Sequence, residues 1–438
     1  MFWIQLAIII VALCFGARFG GVFMGMAGGV GLGVLVFLFH LAPSSPPIDV
    51  MLIIIAVVLA AATLQACGGM DYLVQIAERI LRRNPSRITF VAPIVTYVFT
   101  FLAGTGNVAF SVIPVIAEVA RESGVRPERP LSISVIASQQ AITASPISAA
   151  MAALVALLMP YNVGMASIMM VVVPATILGV AAGACYANRV GKELNEDPEY
   201  RRRLAEGLIS PPSRKKEAVA VTREAKLSVF LFVFGAFLIV LLGTVPALRP
   251  DFIVKGVATK LAMTHTIEMV MMIVAAIMVV LCRPNLDLIV SGSVFKSGMM
   301  GVVCIFGLAW MGDTLVTNNM AFIRGNVQEI VTAHPWMFAI GMMLVSALVL
   351  SQAATTRLLV PLGIALGLPP AALVASWPAC NGYFLIPSYA TLIAGVAFDT
   401  TGTTKIGKFV FNHSYMIPGL ITCFVSVTSG FLIANFVL

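Results

Sequence analysis

The stretch ITFVAPIVTYVFTFLAGTGNVAFSVIPVIAEVA (Ile88–Ala120) decides the fold. It is almost wholly apolar, yet arginines close both of its ends: Arg79, Arg82, Arg83 and Arg87 precede it, and Arg121, Arg126 and Arg129 follow it. Basic residues flanking membrane segments stay in the cytoplasm. An apolar segment with such residues at both ends must therefore enter from the cytoplasm and return to it. Its middle reads AGTGN (Ala103–Asn107), with two glycines that weaken a continuous helix. The reading is a re-entrant helical hairpin turned at a small polar tip.

The rest of the chain agrees with a life in the membrane. Of 438 residues, 60% are hydrophobic and only 11% charged, against about 25% charged in soluble domains. Apolar runs at Ile4–Phe15, Val22–Leu41, Val50–Ala66, Gly164–Tyr186, Leu227–Pro246, Met263–Cys282, Gly298–Val316 and Phe409–Leu438 read as spans or near-spans; roughly 20 apolar residues cross a bilayer. No basic residue precedes the first run, so it reads as a retained helix rather than a cleaved leader. The fold class expected is an all-α polytopic membrane protein with about 10–12 membrane segments. The seven cysteines are scattered singly in or beside apolar runs and read as small packing residues. The net charge of +8 lies in loops, where it sets orientation and implies no nucleic acid.

Charge then gives the topology. The two arginine groups, the polar stretch 188–226, Arg283 with Lys296, Lys405 with Lys408, and Arg18 go to the cytoplasm. Arg249, Lys255, Lys260 and Arg324 fall outside, and Arg357 in neither compartment. After the first hairpin (about 88–120) comes a segment of about 131–160, broken at ASPIS (Ala144–Ser148). There Pro146 removes a backbone donor and disfavours helix at Ser145.

The second half repeats this grammar. A hairpin of about 335–367 is interrupted by SQAATT (Ser351–Thr356), and a helix of about 371–398 is broken around CNGYFLIPS (Cys380–Ser388). Pro114 and Pro361 follow the first breaks, and Pro146 and Pro387 sit in the second. Threading the spans makes the second hairpin enter from outside. The expectation is two inverted repeats, 1–187 and 227–438, joined by a flexible cytoplasmic linker 188–226, with both termini outside.

Irregular backbone survives at membrane depth only inside protein or along a cavity. Paired broken segments in inverted halves are the sequence mark of a transporter's substrate site. Ordinary kinks are the alternative reading, but four interruptions in matching order favour transport. The breaks offer Thr105, Gly106, Asn107, Thr143, Ser145 and Ser148 in the first half. In the second they offer Ser351, Gln352, Thr355, Thr356, Asn381 and Ser388. Ser111, Gln139, Gln140 and Thr391 lie nearby. Half-helix N-termini at the breaks favour an anionic ligand, a carboxylate above all. Arg357, directly after SQAATT, is a costly charge inside an apolar hairpin, and its planar fork suits a carboxylate; pairing with Asp313 is the structural alternative. Asp313 and Glu268 are the candidates for a coupling proton, whereas Glu118 and Asp399 read as interfacial and His265 and His413 as structural.

Two further features read as scaffold. Gly21, Gly25, Gly29 and Gly33 recur every fourth residue, a pattern for close helix contact. Asp71–Arg83 is amphipathic and should lie along the cytoplasmic interface. Enzyme signatures are missing: there is no H-E-x-x-H, no nucleophile elbow and no Walker loop. Neither catalysis nor direct use of ATP is expected, and neither a metal nor an organic cofactor is called for.

Longer motifs sharpen this. Pro46–Pro93, AGTGN, RPERPLSISVIASQQ (Arg126–Gln140), ASPIS, SQAATTRLLVP (Ser351–Pro361), WPACNGYFLIPSY (Trp377–Tyr389) and FDTTGTTKIGKFVFNHSYMIPG (Phe398–Gly419) resemble the Dcu family of bacterial C4-dicarboxylate transporters, A/B branch. The resemblance runs end to end apart from the linker. It implies exchange or proton-coupled symport of fumarate, succinate, malate or aspartate across the bacterial inner membrane. It also implies a homodimer working by an elevator-like movement, within a superfamily of ion transporters built on inverted repeats. Sodium-coupled relatives hold their ion with Ser-Asn-Thr hairpin tips; here the tips read AGTGN and SQAATT, which favours the proton over sodium. The alternative is a transporter of another carboxylate such as citrate, coupled to sodium.

Overall fold

The structure is a computed structural model. It describes the chain except residues 20–21, 210–220, 255–256, 320, 323–331, 387–388 and 407–411, and leaves undescribed the side chains of 17, 18, 50, 107, 246, 254, 257, 258 and 297. Seven helices among the described residues are long and apolar enough to cross a membrane, or eight if one bent pair is a single span. Three more apolar helices are shorter. This is the polytopic helical fold that the composition demands.

The first half runs α1 (Phe2–Phe19), α2 (Phe23–Phe37), α3 (Ile48–Ala66), α4 (Gly69–Arg83), α5 (Ile88–Ala103), α6 (Asn107–Glu122), α7 (Glu128–Ala144), α8 (Ala149–Leu158) and α9 (Met165–Ala187). A short α10 (Pro198–Ala205) follows. The second half runs α11 (Arg223–Thr244), α12 (Met263–Cys282), α13 (Leu286–Ser291), α14 (Ser293–Asn318), α15 (Trp336–Val349), α16 (Gln352–Ala365), α17 (Pro370–Ser376), α18 (Ala390–Phe398) and α19 (Met416–Val437). A buried 3-10 segment, Trp377–Phe384, continues α17. A small antiparallel β-hairpin, Asp251–Val254 with Val257–Lys260, joins α11 to α12.

Each interruption read from the sequence has a local cause. Gly104, in the left-handed region at φ 67°, ends α5, and α6 begins three residues later. A Cβ at Gly104 would stand 3.0 Å from the Ile147 carbonyl oxygen, so glycine is required twice over. With the turn Pro85–Arg87 ahead of it, α5 would pass as a span by length. Its own 16 residues make about 24 Å, and α6 follows at once and packs against it. In the second hairpin the left-handed residue is Leu350, at φ 52°, and Ser351 caps α16 by accepting from the Ala354 amide at 3.2 Å. Both of its arms have 14 residues, about 21 Å. The first broken helix opens at Ser145, which turns extended ahead of Pro146, and restarts at α8 under the cap of Ser148. In the second, Asn381 breaks the 3-10 segment with non-helical backbone.

The two halves pack in matching order. α1 packs on α2 and α11 on α12; α2 on α14 and α12 on α3; α5 on α7 and α15 on the 3-10 segment; α7 on α9 and α17 on α19. The second arm of each hairpin lies against the restarted helix of the other half, α6 on α18 and α16 on α8. α9 and α19 cross each other, at Gly179 and Gly183 against Thr422 and Ser426.

Three expectations change. Of the glycine stripe on α2 only Gly25 meets α14 among the described residues, helped by Gly28 outside the stripe, while Gly29 has no neighbour within 4 Å of a built Cβ and Gly33 touches only Phe37 of its own helix. A spacing of four drifts round a helix of 3.6 residues per turn, so only part of such a stripe can face one neighbour. Gly21 lies outside the described residues. The start of the linker is also tied down rather than loose. Arg126, at the head of α7, bonds Glu128 at 2.6 Å and also Asp197, the cap of α10. Arg129 bonds Glu193 at 2.8 Å and the carbonyls of Val190 and Gly191. Ser414, just ahead of α19, donates to Glu128 at 2.6 Å. Asp399, read as interfacial, is buried and accepts from the Thr401 and Thr404 amides and from the Thr401 and Thr403 hydroxyls. Opposite charges spaced along the chain found one another instead of water.

This cluster predicts an acid limb in stability. Burial would raise the Asp197 carboxyl, but the Tyr200 amide, the Arg126 guanidinium and the Glu199 amide outweigh it and hold it below the ordinary 3.8. A depressed carboxyl stabilises the fold above its ordinary value and loses that contribution as the pH falls through the lowered one. The melting temperature of the purified protein should therefore be flat above about pH 5 and fall below about pH 4. Asp197→Asn should lower it at neutral pH and flatten the acid limb; an unchanged acid limb would contradict the assignment.

Amphipathic α4 leaves α3 at a bend of 73°, set by Gly68 in the left-handed region. Its buried residues Met70, Ala77 and Leu81 share one face, and Arg82 and Arg83 complement the C-terminal dipole.

Candidate functional site

A cavity of about 720 Å³ lies where the broken segments meet. Its walls come from both hairpin tips (Gly104, Thr105 and Gly106; Leu350, Ser351 and Gln352), from both restarted helices (Ala149 and Ala150; Tyr389 and Ala390), and from α3 and α14. No charged side chain lines it among the described residues.

Its electrostatics come from backbone. The first amides of a helix have no intrahelical acceptor. Ser148 takes the third amide of α8, that of Met151, at 3.1 Å, and Ser351 takes the third amide of α16, that of Ala354. That leaves the amides of Ala149 and Ala150, and of Gln352 and Ala353, all four residues on the cavity wall. Each helix start also carries about half a positive charge. One helix start from each half thus presents two N–H donors to a single cavity. That arrangement suits an anion with two separated charges, each met by one pair of amides.

Behind the wall a network of side-chain amides locks the crossing. Gln352 Nε2 donates to Gln139 Oε1 at 3.1 Å and to Asn381 Oδ1 at 2.9 Å. Asn381 Nδ2 donates to Gln140 Oε1 at 3.2 Å and to the Pro378 carbonyl at 3.0 Å, with Thr143 Oγ1 at 3.4 Å. Gln139 Nε2 donates to Thr391 Oγ1 at 3.1 Å. Trp377 Nε1 donates to Thr356 Oγ1 at 2.8 Å, and Thr356 donates to the Gln352 carbonyl at 2.7 Å. Every link but the last and the bond to Pro378 joins different segments, so the hairpin tip is held by both broken helices.

The sequence-predicted residues divide accordingly. Thr105, Gly106, Ser351 and Gln352 line the cavity. Thr143, Thr356 and Asn381 belong to the network behind it. Ser145 donates to the Phe101 carbonyl at 2.6 Å and fixes the broken helix to the hairpin, while Ser148 acts as a cap. The Thr355 hydroxyl is buried with no partner among the described residues. The Asn107 side chain and all of Ser388 lie outside the described residues. Arg357 and Asp313 are off the cavity wall, at the contact of α16 with α14. Glu268 sits near the start of α12, bonded to His265 at 3.1 Å and away from the cavity. Phe110, Gln65 and Tyr389 are wall residues that sequence reasoning did not single out. For Tyr389 a signal existed, since it immediately precedes the helix that restarts at Ala390.

The broken helices of the two halves thus meet at one cavity inside a helical membrane protein. Solved transporters share the fold: YdaH of Alcanivorax borkumensis (TM-score 0.53, 13% identity, 87% of this chain and 84% of that one) and MtrF of Neisseria gonorrhoeae (TM-score 0.51, 12% identity, 92% and 84%). The family model of the anaerobic C4-dicarboxylate membrane transporters, DcuA and DcuB, matches residues 1–438. The chain is 42% identical to the C4-dicarboxylate transporter DcuA of Wolinella succinogenes over 434 residues (99% of each chain) and to DcuA of Escherichia coli K12 over 439 residues (100% of each). It is 41% identical over 448 residues to the anaerobic C4-dicarboxylate transporter DcuB of Escherichia coli O6:H1 (99% of this chain, 98% of that one). The chain belongs to the DcuA/DcuB family; it is a multi-pass membrane transporter and not an enzyme.

Proposed function

We propose that the chain carries C4-dicarboxylates such as fumarate, succinate, malate and aspartate across the bacterial inner membrane, by exchange or proton-coupled symport. The observation that carries this reading is the pair of helix starts, α8 and α16, whose free amides line one cavity. Each pair of amides takes one carboxylate, and the absence of a lining cation among the described residues keeps release easy. The curated relatives named for C4-dicarboxylate transport support the substrate class.

The same reading takes 1–187 and 227–438 as inverted repeats, on the strength of their matched packing. The unit around the cavity moves against α1–α3 and α11–α14 in an elevator-like step. The arginine-rich ends lie in the cytoplasm and both termini in the periplasm, by the distribution of basic residues. The homodimer is part of this reading through the family resemblance alone. Asp313 and Glu268 remain the candidate carriers of a coupling proton, and sodium is the ion to test against it.

Binding to the purified protein tests the substrate class. Succinate and fumarate should raise its melting temperature in a saturable way, while butyrate, with one carboxylate, should not. Stabilisation by citrate alone would transfer the reading to tricarboxylates. No response to any C4 diacid would remove it.

A further inference from the structure

We propose that Arg357 is a state-specific binding residue: it is withdrawn from substrate in the present state and lines the cavity only when the carrier opens to the opposite face. The proposal rests on the transport reading above and adds which face Arg357 serves.

Four observations lead there. First, the cavity occupies one half of the membrane depth. α14 lines it with its first part, Ser293–Ile305, and α3 with its last part, Ile54–Gln65. Both parts adjoin the ends where Arg283, Lys296 and the arginine-rich α4 lie. The space therefore opens towards the arginine-rich face.

Second, the other half is sealed by the second hairpin. α16 packs against the far part of α14, where a Cβ at Gly312 would stand 1.8 Å from Leu358. Arg357 sits at this seal beside Leu358, next to the turn of α14 that carries Gly312 and Asp313, and no ion pair within 4 Å joins Arg357 to Asp313 among the described residues. Third, Arg357 Nε is buried and has no hydrogen-bond partner among the described residues. A guanidinium in a membrane interior is costly, and leaving one of its donors unmade adds to the cost. Stability in this state alone gives no reason for it.

Fourth, the matching position in the other hairpin already lines the open side. Counting seven residues on from the left-handed residue that ends each first arm, Gly104 or Leu350, matches Arg357 with Ser111. Counting four back from the proline in each second arm, Pro114 or Pro361, matches it with Phe110. Phe110 and Ser111 both line the present cavity. If the halves exchange roles when the carrier turns over, the seal at α16 opens as these two residues close. Arg357 then leaves Asp313 and lines the new cavity, where its fork can take a carboxylate. The two faces would bind substrate unequally: by amides alone on the arginine-rich face, and by amides with a guanidinium on the other.

Exchange measured in right-side-out and inside-out vesicles separates the faces. Arg357→Gln should raise the half-saturating succinate concentration tenfold or more on the face opposite the arginine-rich ends, and less than threefold on the arginine-rich face. Arg357→Lys, which keeps the charge without the fork, should show the same asymmetry at smaller size, and it carries the test if Arg357→Gln does not reach the membrane. An equal rise on both faces would place Arg357 in a permanent site and overturn the proposal. So would no change on either face. Absence of exchange by the unaltered protein would instead sink the transport reading, a separate and recognisable outcome.

Discussion

Gln352→Ala is expected to slow dicarboxylate exchange by about a hundredfold while the protein stays folded in the membrane. Gln352 is the point where wall and network meet: it lines the cavity and donates to both Gln139 and Asn381. Removing it leaves two buried acceptors without this donor, at roughly 1–3 kcal/mol each. About 2.7 kcal/mol lost from the organisation of the site corresponds to a hundredfold in rate. The helix core should survive, because Thr356, Asn381 and Gln140 keep other bonds. Gln352→Glu should be worse, since it sets a carboxylate against two acceptor oxygens and an anionic substrate. Exchange in proteoliposomes, beside a size-exclusion profile, measures both variants. A rate near that of the unaltered protein for Gln352→Glu would show that the network does not shape the site.

Gly307→Leu should remove most of the folded protein. α2 and α14 cross where Gly25 and Gly307 face each other, and a Cβ at Gly307 would stand 1.8 Å from the Gly25 carbonyl oxygen. A Cβ at Gly25 would stand 2.1 Å from the Val303 carbonyl oxygen. These are backbone atoms, so no rotamer relieves them and the helices must separate. Overpacking costs about 1–3 kcal/mol where side chains can yield, and close approach is what holds helices together in lipid. We expect less than roughly a tenth of the unaltered yield in the monodisperse fraction, the upper end of that range. Gly29→Ala, with no neighbour within 4 Å, is the control and should be silent. Equal behaviour of the two variants would mean that the crossing is looser than its geometry.

The breaks were legible because each has a local cause. Gly104 must be left-handed, Pro146 forces Ser145 to extend, and serines stand ready as caps at Ser148 and Ser351. Arginines at both ends of Ile88–Ala120 pointed to a turn within it, and the chain does break there, between α5 and α6 at Gly104. What stayed hidden depends on partners far away in the chain. Gln139 and Gln352 are separated by 213 residues, and nothing local marks them as a pair. A glycine stripe states that something comes close but not which of its members are touched. Arg357 was legible as a costly charge, yet only packing against α14 reveals that it faces away from the present cavity. The ion cluster at Arg126 was hidden for the opposite reason, since a mixed-charge stretch looks like solvated linker until Asp197 and Glu193 are seen to dock.

Counterflow in proteoliposomes tests the central claim most directly. Vesicles carrying the purified protein and loaded with unlabelled succinate should accumulate external labelled fumarate transiently above equilibrium. Loading with butyrate should give no such overshoot. An overshoot driven by internal C4 diacid is what a carrier with one alternating diacid site must produce; a monotonic approach to equilibrium, equal with succinate inside or butyrate inside, would contradict it.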